Sequence, residues 1–311
     1  MTEETVNGEE PIADPRPSTE MAVNAARVDF TSAINGKQYR LFISEPVGEP
    51  PAAGWPVVYL IDGNLHFGIA VDTARIQARW PDTVDCVVVG IGYQTDNVGT
   101  ALTVRNHDLT PPTPVAVTGS GWQQAMGATP ADYGGMDDYL RMVEAEVKPR
   151  VAERVRVDPG DQTLMGHSLG GLTTLAALFR TPAAFNQYVA ISPSIWVNGR
   201  WVLGFVDAFA ERVRAGEVSA RLLLSTGEWE EADPPRPPLP AAGIRNMTRE
   251  VYAAMTADCR MVGNPTELAE RLAPLCEHGL DLQFVVHPDE DHRSVVPAGI
   301  ARGICYSMYR P

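Results

Sequence analysis

The chain has 311 residues, enough to bury a large core as one big α/β domain or two smaller ones, and its 44% hydrophobic and 21% charged content is ordinary for a globular protein. A formal net charge of −14 argues against nucleic acid or an anionic membrane as the main partner, because phosphate repels such a surface. No stretch approaches the ~20 apolar residues that span a bilayer. Cys86, Cys259, Cys276 and Cys305 show neither CxxC spacing nor a paired framework, the usage expected of free thiols in a reducing cytoplasm. Residues 1–20 carry Glu3, Glu4, Glu9, Glu10, Asp14 and Glu20 against Arg16 and read as a disordered acidic leader without the pattern of a secretory signal; residues 21–311 read as the folded domain.

Two strand patterns, Arg27 to Thr31 and Gln38 to Ser44, flank Asn35-Gly36, a strong β-hairpin turn signal. Pro56 to Ile61 and Asp85 to Ile91 are short, continuously apolar runs of the kind buried on both faces of a parallel sheet, with a helix from about Phe67 to Trp80 between them. From Gln94 to Gly135 the pattern is broken by proline and glycine around Trp122, and a loop this long is usually functional or disordered. Met136 to Val155 reads as a helix, with Tyr139, Met142, Val143, Val147 and Val151 at helical spacing. Then follow a strand at Gln162 to Gly166, a helix at Leu169 to Phe179, a strand at Tyr188 to Ser192, a helix at Trp201 to Val213 and a strand at Arg221 to Ser225. A second irregular, proline-rich region opens at Gly227; two helical segments lead to about Cys276, a last strand covers Leu282 to Val286, and a helix from Val295 to Tyr309 closes the chain. Strands alternating with helices imply right-handed crossovers and one mostly parallel sheet, with the hairpin adding antiparallel edge strands. The stretches at about 94–135 and 227–262 are expected to be lid-like insertions.

The chemistry is concentrated in Gly166-His167-Ser168-Leu169-Gly170. It fits G-x-S-x-G in its required context of strand, sharp turn and helix, where a strained serine lifts its hydroxyl above the sheet and glycines prevent collision with the neighbouring elements. Ser168 is therefore the candidate nucleophile. A serine hydroxyl needs a base, and the base an orienting acid, following in chain order as acid and then histidine. His292, in the loop after the last strand, can swing over the nucleophile; His287, closing that strand, is the alternative. Three carboxylates crowd the loop after the Arg221 to Ser225 strand, and the order usual in hydrolases of this architecture, glycine, two residues, acid, selects Glu230, with Glu228 as runner-up. The tetrahedral intermediate needs two amide donors, expected from Leu169 at the positive end of its helix and from Asn64 in the turn Asp62-Gly63-Asn64. The scattered histidines offer no metal-ligand spacing, and no metal or organic cofactor is expected.

With these pieces in place the chain resembles the "Putative esterase" family of α/β hydrolases, which includes esterase D, mycolyltransferases and the siderophore trilactone esterases. Tyr59-Leu-Ile-Asp-Gly63, Gly166-His-Ser-Leu-Gly-Gly171, Ser192-Pro-Ser-Ile-Trp196, Gly227-Glu-Trp-Glu230 and His292 carry the resemblance over most of the chain from about residue 25. Arg105-Asn-His-Asp-Leu-Thr-Pro111 is similar to an element of the enterochelin-esterase-like members, in which the arginine faces the substrate pocket. That resemblance implies an anionic substrate such as a catecholate or carboxylate ester; the alternative is an Arg105 paired with Asp108 or another acid. Trp122, Trp196 and Trp229 are further candidates to line the pocket, with core packing as the other possibility.

The combined reading is a single α/β-hydrolase domain that cleaves small-molecule carboxylic esters through an acyl-enzyme on Ser168. Two rivals stand beside it: an acyltransferase of the same family, in which only the acceptor differs, and a siderophore-binding protein on a hydrolase scaffold without turnover.

Overall fold

In the computed structural model, residues 25–112, 132–231 and 256–310 are described. The acidic leader, Trp122 and much of both expected insertions lie outside them. Eight strands form one sheet: β1 (Ala25–Thr31), β2 (Gln38–Ser44), β3 (Trp55–Ile61), β4 (Val87–Tyr93), β5 (Val157–His167), β6 (Gln187–Ile191), β7 (Ala220–Gly227) and β8 (Leu280–His287). Their order is β1-β2-β4-β3-β5-β6-β7-β8. The β1–β2 and β2–β4 pairs are antiparallel and the rest parallel, so the antiparallel hairpin supplies one edge as expected. This is the mostly parallel sheet of an α/β hydrolase.

The two faces follow from the two-residue side-chain period of a strand. On β3, Val57, Tyr59 and Ile61 point into one core, shared with Leu164, Tyr188, Leu222 and Leu224. That face is covered by a long helix α3 (136–154), by α4 (Leu169–Arg180), by α5 (Val206–Arg214) and by α6 (Gly263–Leu272). Val58 and Leu60 point the other way, into a second core with Met165, Val189 and Leu223 beneath α1 (Gly63–Gln77) and α7 (Val295–Met308). Strands buried on both sides must be apolar at every position, which explains why β3 and β4 are continuous hydrophobic runs.

The β1–β2 connection spans residues 32–37 as expected and is closed by Ser32, whose N–H donates to the Lys37 carbonyl at 2.9 Å. Three local features go beyond the sequence reading. Helix α1 begins at Gly63, because Asp62 takes the left-handed conformation (φ 62°) that turns the chain sharply out of β3. Helix α3 carries a π-helical turn over Val143–Val147. Finally, part of the stretch from Gln94 read as irregular is a helix, α2 (Val98–Asp108), N-capped by Asn97, whose side chain accepts from the Thr100 N–H at 3.0 Å. Its buried face is Ala101, Arg105 and Asp108, so the periodicity is carried by charged residues and hydrophobic patterning does not reveal it.

Candidate active site

The site forms where β3, β5, β6 and β7 end, at the carboxyl edge of the sheet. Ser168 sits between β5 and α4 with φ 60° and ψ −117°, a strained conformation for a residue with a side chain. The strain is held by flanking bonds: the Ser168 N–H donates to the Ile191 carbonyl at 3.0 Å, and the Ser168 carbonyl accepts from Leu172 and Ser194. A Cβ on Gly166 would lie 2.4 Å from the Gly170 carbonyl, so the elbow closes only with glycine there.

Above the elbow stands His292, in the loop between β8 and α7. Its Nε2 is 3.1 Å from Ser168 Oγ and its Nδ1 is 2.5 Å from Glu230 Oε2. Glu230 lies in the turn after β7 with a fully buried carboxylate. Its Oε1 accepts from the Gly227 N–H and the Ser192 hydroxyl, both at 2.5 Å, and from Thr226 Oγ1 at 3.2 Å. The Glu230 turn is pinned to the His292 loop, because the Trp229 N–H donates to the Glu290 carbonyl at 3.0 Å and a Cβ on Gly227 would lie 2.4 Å from that same oxygen. Glu230 and His292 are thus mounted on two loops that interlock. Glu228 is exposed and accepts from the Asp289 N–H; His287 ends β8, where its carbonyl accepts from the Glu228 N–H. Neither of these two alternatives reaches Ser168 in the described bonds.

An acceptor nitrogen on a hydroxyl, with a buried carboxylate behind the ring, is an arrangement that generates an alkoxide on demand. It opens into a cleft of about 490 Å³, lined by Leu65, Ile69, Leu102 and Val296 together with Asp62, Arg105 and Arg293.

The "Putative esterase" family model matches residues 32–236, well over half of the chain. The chain belongs to this family. The esterase is similar over nearly its whole length to ferri-bacillibactin esterase BesA of Bacillus subtilis (strain 168), at 32% identity covering 99% of this chain and 96% of the relative. It is also similar to the siderophore triacetylfusarinine C esterase of Aspergillus fumigatus, at 31% identity covering 96% and 95% of the two chains. Among solved structures, siderophore hydrolase EstA from Aspergillus nidulans superposes with a TM-score of 0.76 at 29% identity, covering 97% of this chain and 98% of that one. Fold, family and relatives agree on a carboxylic ester hydrolase.

Of the remaining candidates of the esterase, Arg105 takes the alternative the sequence left open, pairing with another acid. Arg105 does face the cleft, but its Nε and Nη2 are both spent on Asp62, at 2.7 Å each. Asp108, the other acid proposed for it, is held by the Tyr39 hydroxyl at 2.7 Å and by Lys37. Asn64 turns its side chain toward β4, where its amide donates to the Tyr93 and Thr95 carbonyls and its Oδ1 accepts from the Tyr93 N–H. Its side chain is thereby committed within the fold. Trp196 is half-buried against the large core, and neither it nor the half-buried Trp229 is among the residues lining the cleft.

Other side chains gather here as well. His167 packs against His292 with ring centroids 4.6 Å apart and the planes tilted by 38°, and His66 meets His167 edge-on at 5.9 Å. Burial, assisted by the neighbouring charges on His292, His66 and Arg105, holds His167 well below the ordinary histidine range; burial likewise lowers His66. Ser194 places its hydroxyl 3.2 Å from Ser168 Oγ. The signal for Ser192 and Ser194 was their recurrence in the Ser-Pro-Ser-x-Trp stretch, which marks the family without stating a role.

Proposed function

We propose that the esterase hydrolyses siderophore-type esters through an acyl-enzyme on Ser168. The observation that carries this reading is the unbroken relay from Ser168 Oγ to His292 Nε2 (3.1 Å) and from His292 Nδ1 to Glu230 Oε2 (2.5 Å). As Ser168 Oγ attacks the ester carbonyl carbon, its proton passes to His292 Nε2, and the buried Glu230 carboxylate steadies the resulting imidazolium. The backbone N–H groups of Leu169 and Asn64 receive the negative charge that develops on the carbonyl oxygen. Collapse of the intermediate breaks the C–O bond, with Nε2 returning its proton to the departing alcohol. Water then repeats the cycle on the acyl-enzyme and frees Ser168.

The siderophore class rests on similarity over nearly the whole chain to a ferri-bacillibactin esterase and a triacetylfusarinine C esterase. The largely apolar cleft, with Asp62 and Arg105 among its lining residues, suits an aromatic or alkyl acyl group. Incubating the protein with a catecholate trilactone, with a hydroxamate ester siderophore and with simple aryl esters, followed by chromatography of the products, tests the reading. Ring opening of a siderophore ester, lost in Ser168→Ala by about 10³-fold or more, is expected. Turnover confined to simple esters would remove the siderophore assignment.

A further inference from the structure

We propose that Arg105 is a positioning residue: clamped to Asp62, it fixes the turn after β3 against the Ser168 elbow, so that the Asn64 and Leu169 amides converge on one oxyanion. This rests on the reading of Ser168 as nucleophile and adds to it. It replaces the idea of Arg105 as a hook for substrate charge.

The turn in question is under strain. Asp62 is a non-glycine residue at φ 62° and ψ 45°, and its carbonyl already caps α1 by accepting from Leu65 and His66. The residue that must be held in this conformation is also the one whose carboxylate is gripped. Arg105 meets both its oxygens in a planar fork, a geometry that lysine cannot reproduce. The same guanidinium reaches over to the elbow, where Nη2 is 3.4 Å from the His167 carbonyl, one peptide before Ser168. From the other side, Asp62 Oδ2 would lie 3.5 Å from a Cβ on Gly170, in the first turn of α4. The ion pair therefore touches both segments that carry the proposed donors.

The mount is rigid as well. Asp62 and Arg105 are 4% and 9% exposed, and α2 is pinned three residues further on where Asp108 binds Tyr39 and Lys37 of the β1–β2 hairpin. A buried pair of this kind is weak as a source of net stability, since desolvation opposes the attraction. Its geometric consequence is large, because a misplaced oxyanion donor forfeits much of the 10²–10³-fold acceleration such a donor supplies. Since the pair is neutral overall, it offers an incoming anion little net positive charge of its own.

The test compares Arg105→Lys, Asp62→Asn and their combination with the wild-type protein on two 4-nitrophenyl esters, one neutral and one with a carboxylate on the acyl chain. Melting curves by circular dichroism confirm folding, and the rate of Ser168 labelling by a fluorophosphonate is followed in parallel. The expected result is a fall in kcat of about tenfold or more on both esters, KM within about threefold on each, and an equal fall in labelling rate. The double variant should be no worse than the poorer single one, because both break the same clamp. Folded variants that keep wild-type kcat on both esters would overturn the proposal. So would a folded Arg105→Lys that keeps kcat on the neutral ester while its KM rises on the charged one alone. Ser168→Ala, run alongside, separates the two levels: undiminished turnover there would overturn the nucleophile assignment itself.

Discussion

Glu230→Gln is the perturbation that reads the relay most finely. Glutamine matches glutamate in shape, so the question is which end of its amide faces His292. The position of Glu230 Oε1 is fixed by the Gly227 N–H at 2.5 Å, an obligate donor that cannot turn away. An amide NH2 there would leave a buried donor unpaired at a cost of ~1–3 kcal/mol, so the glutamine oxygen takes that place. Its NH2 then faces His292 Nδ1, across the contact that is 2.5 Å to the carboxylate. Imidazole must answer by accepting at Nδ1, which puts its proton on Nε2, the atom that has to accept from Ser168. Turning the amide back costs that ~1–3 kcal/mol, and loss of the charged partner of the imidazolium costs a further ~1.5–3 kcal/mol. At ~1.4 kcal/mol per tenfold, kcat/KM on a 4-nitrophenyl ester should fall by about 10²–10⁴-fold with the melting curve little changed. Glu230→Ala, which lets the ring choose its tautomer, should be no worse. Glu228→Gln should stay within about threefold, since that exposed side chain accepts from the Asp289 N–H at the surface. A folded Glu230→Gln within tenfold of wild type, or a larger loss in Glu228→Gln, would refute this chain of reasoning.

Three other outcomes follow. Ser192→Ala removes one of the donors to Glu230 Oε1 while Gly227 and Thr226 remain; stability should drop by ~1–2 kcal/mol in urea unfolding and kcat by less than tenfold, and a loss as deep as that of Glu230→Gln would show the acid is held differently. Gly166→Ala forces a Cβ to within 2.4 Å of the Gly170 carbonyl, so a fall of at least ~2 kcal/mol and loss of turnover are expected; an active protein of wild-type stability would contradict the tight elbow. Because burial holds His167 and His66 below the ordinary value of 6.5, the unfolded chain takes up protons that the folded one refuses, and stability falls as pH drops below about 6.5. The slope is at most ~1.4 kcal/mol per pH unit for each group, and His167→Phe should flatten the decline in melting temperature between about pH 6.5 and pH 5; an unchanged decline would show that His167 titrates normally.

How much of the fold and site is legible in the sequence depends on where each signal resides in the chain. The strands are readable because a sheet covered on both sides needs uninterrupted apolar runs, and β3 and β4 have them. The elbow is readable because its constraint is local: glycine at 166 answers a clash with residue 170. Glu230 can be picked out because the acid turn has a fixed spacing from Gly227, which the structure explains by the bond from that residue's N–H. Partnerships across the chain are not readable in the same way. Arg105 and Asp62 are 43 residues apart, and nothing near either names the other. Helix α2 escapes because its buried face carries Arg105 and Asp108 in place of apolar side chains, so the element and the ion pairs that justify it become visible only together.

The central claim, that Ser168 forms a covalent bond to the acyl group, is tested most directly by intact-protein and peptide mass spectrometry after reaction with a fluorophosphonate. One adduct per chain is expected, on the peptide containing Ser168, forming slowly in His292→Ala and absent in Ser168→Ala. An adduct on a different residue, or ester turnover that persists without any reactive serine at 168, would contradict it.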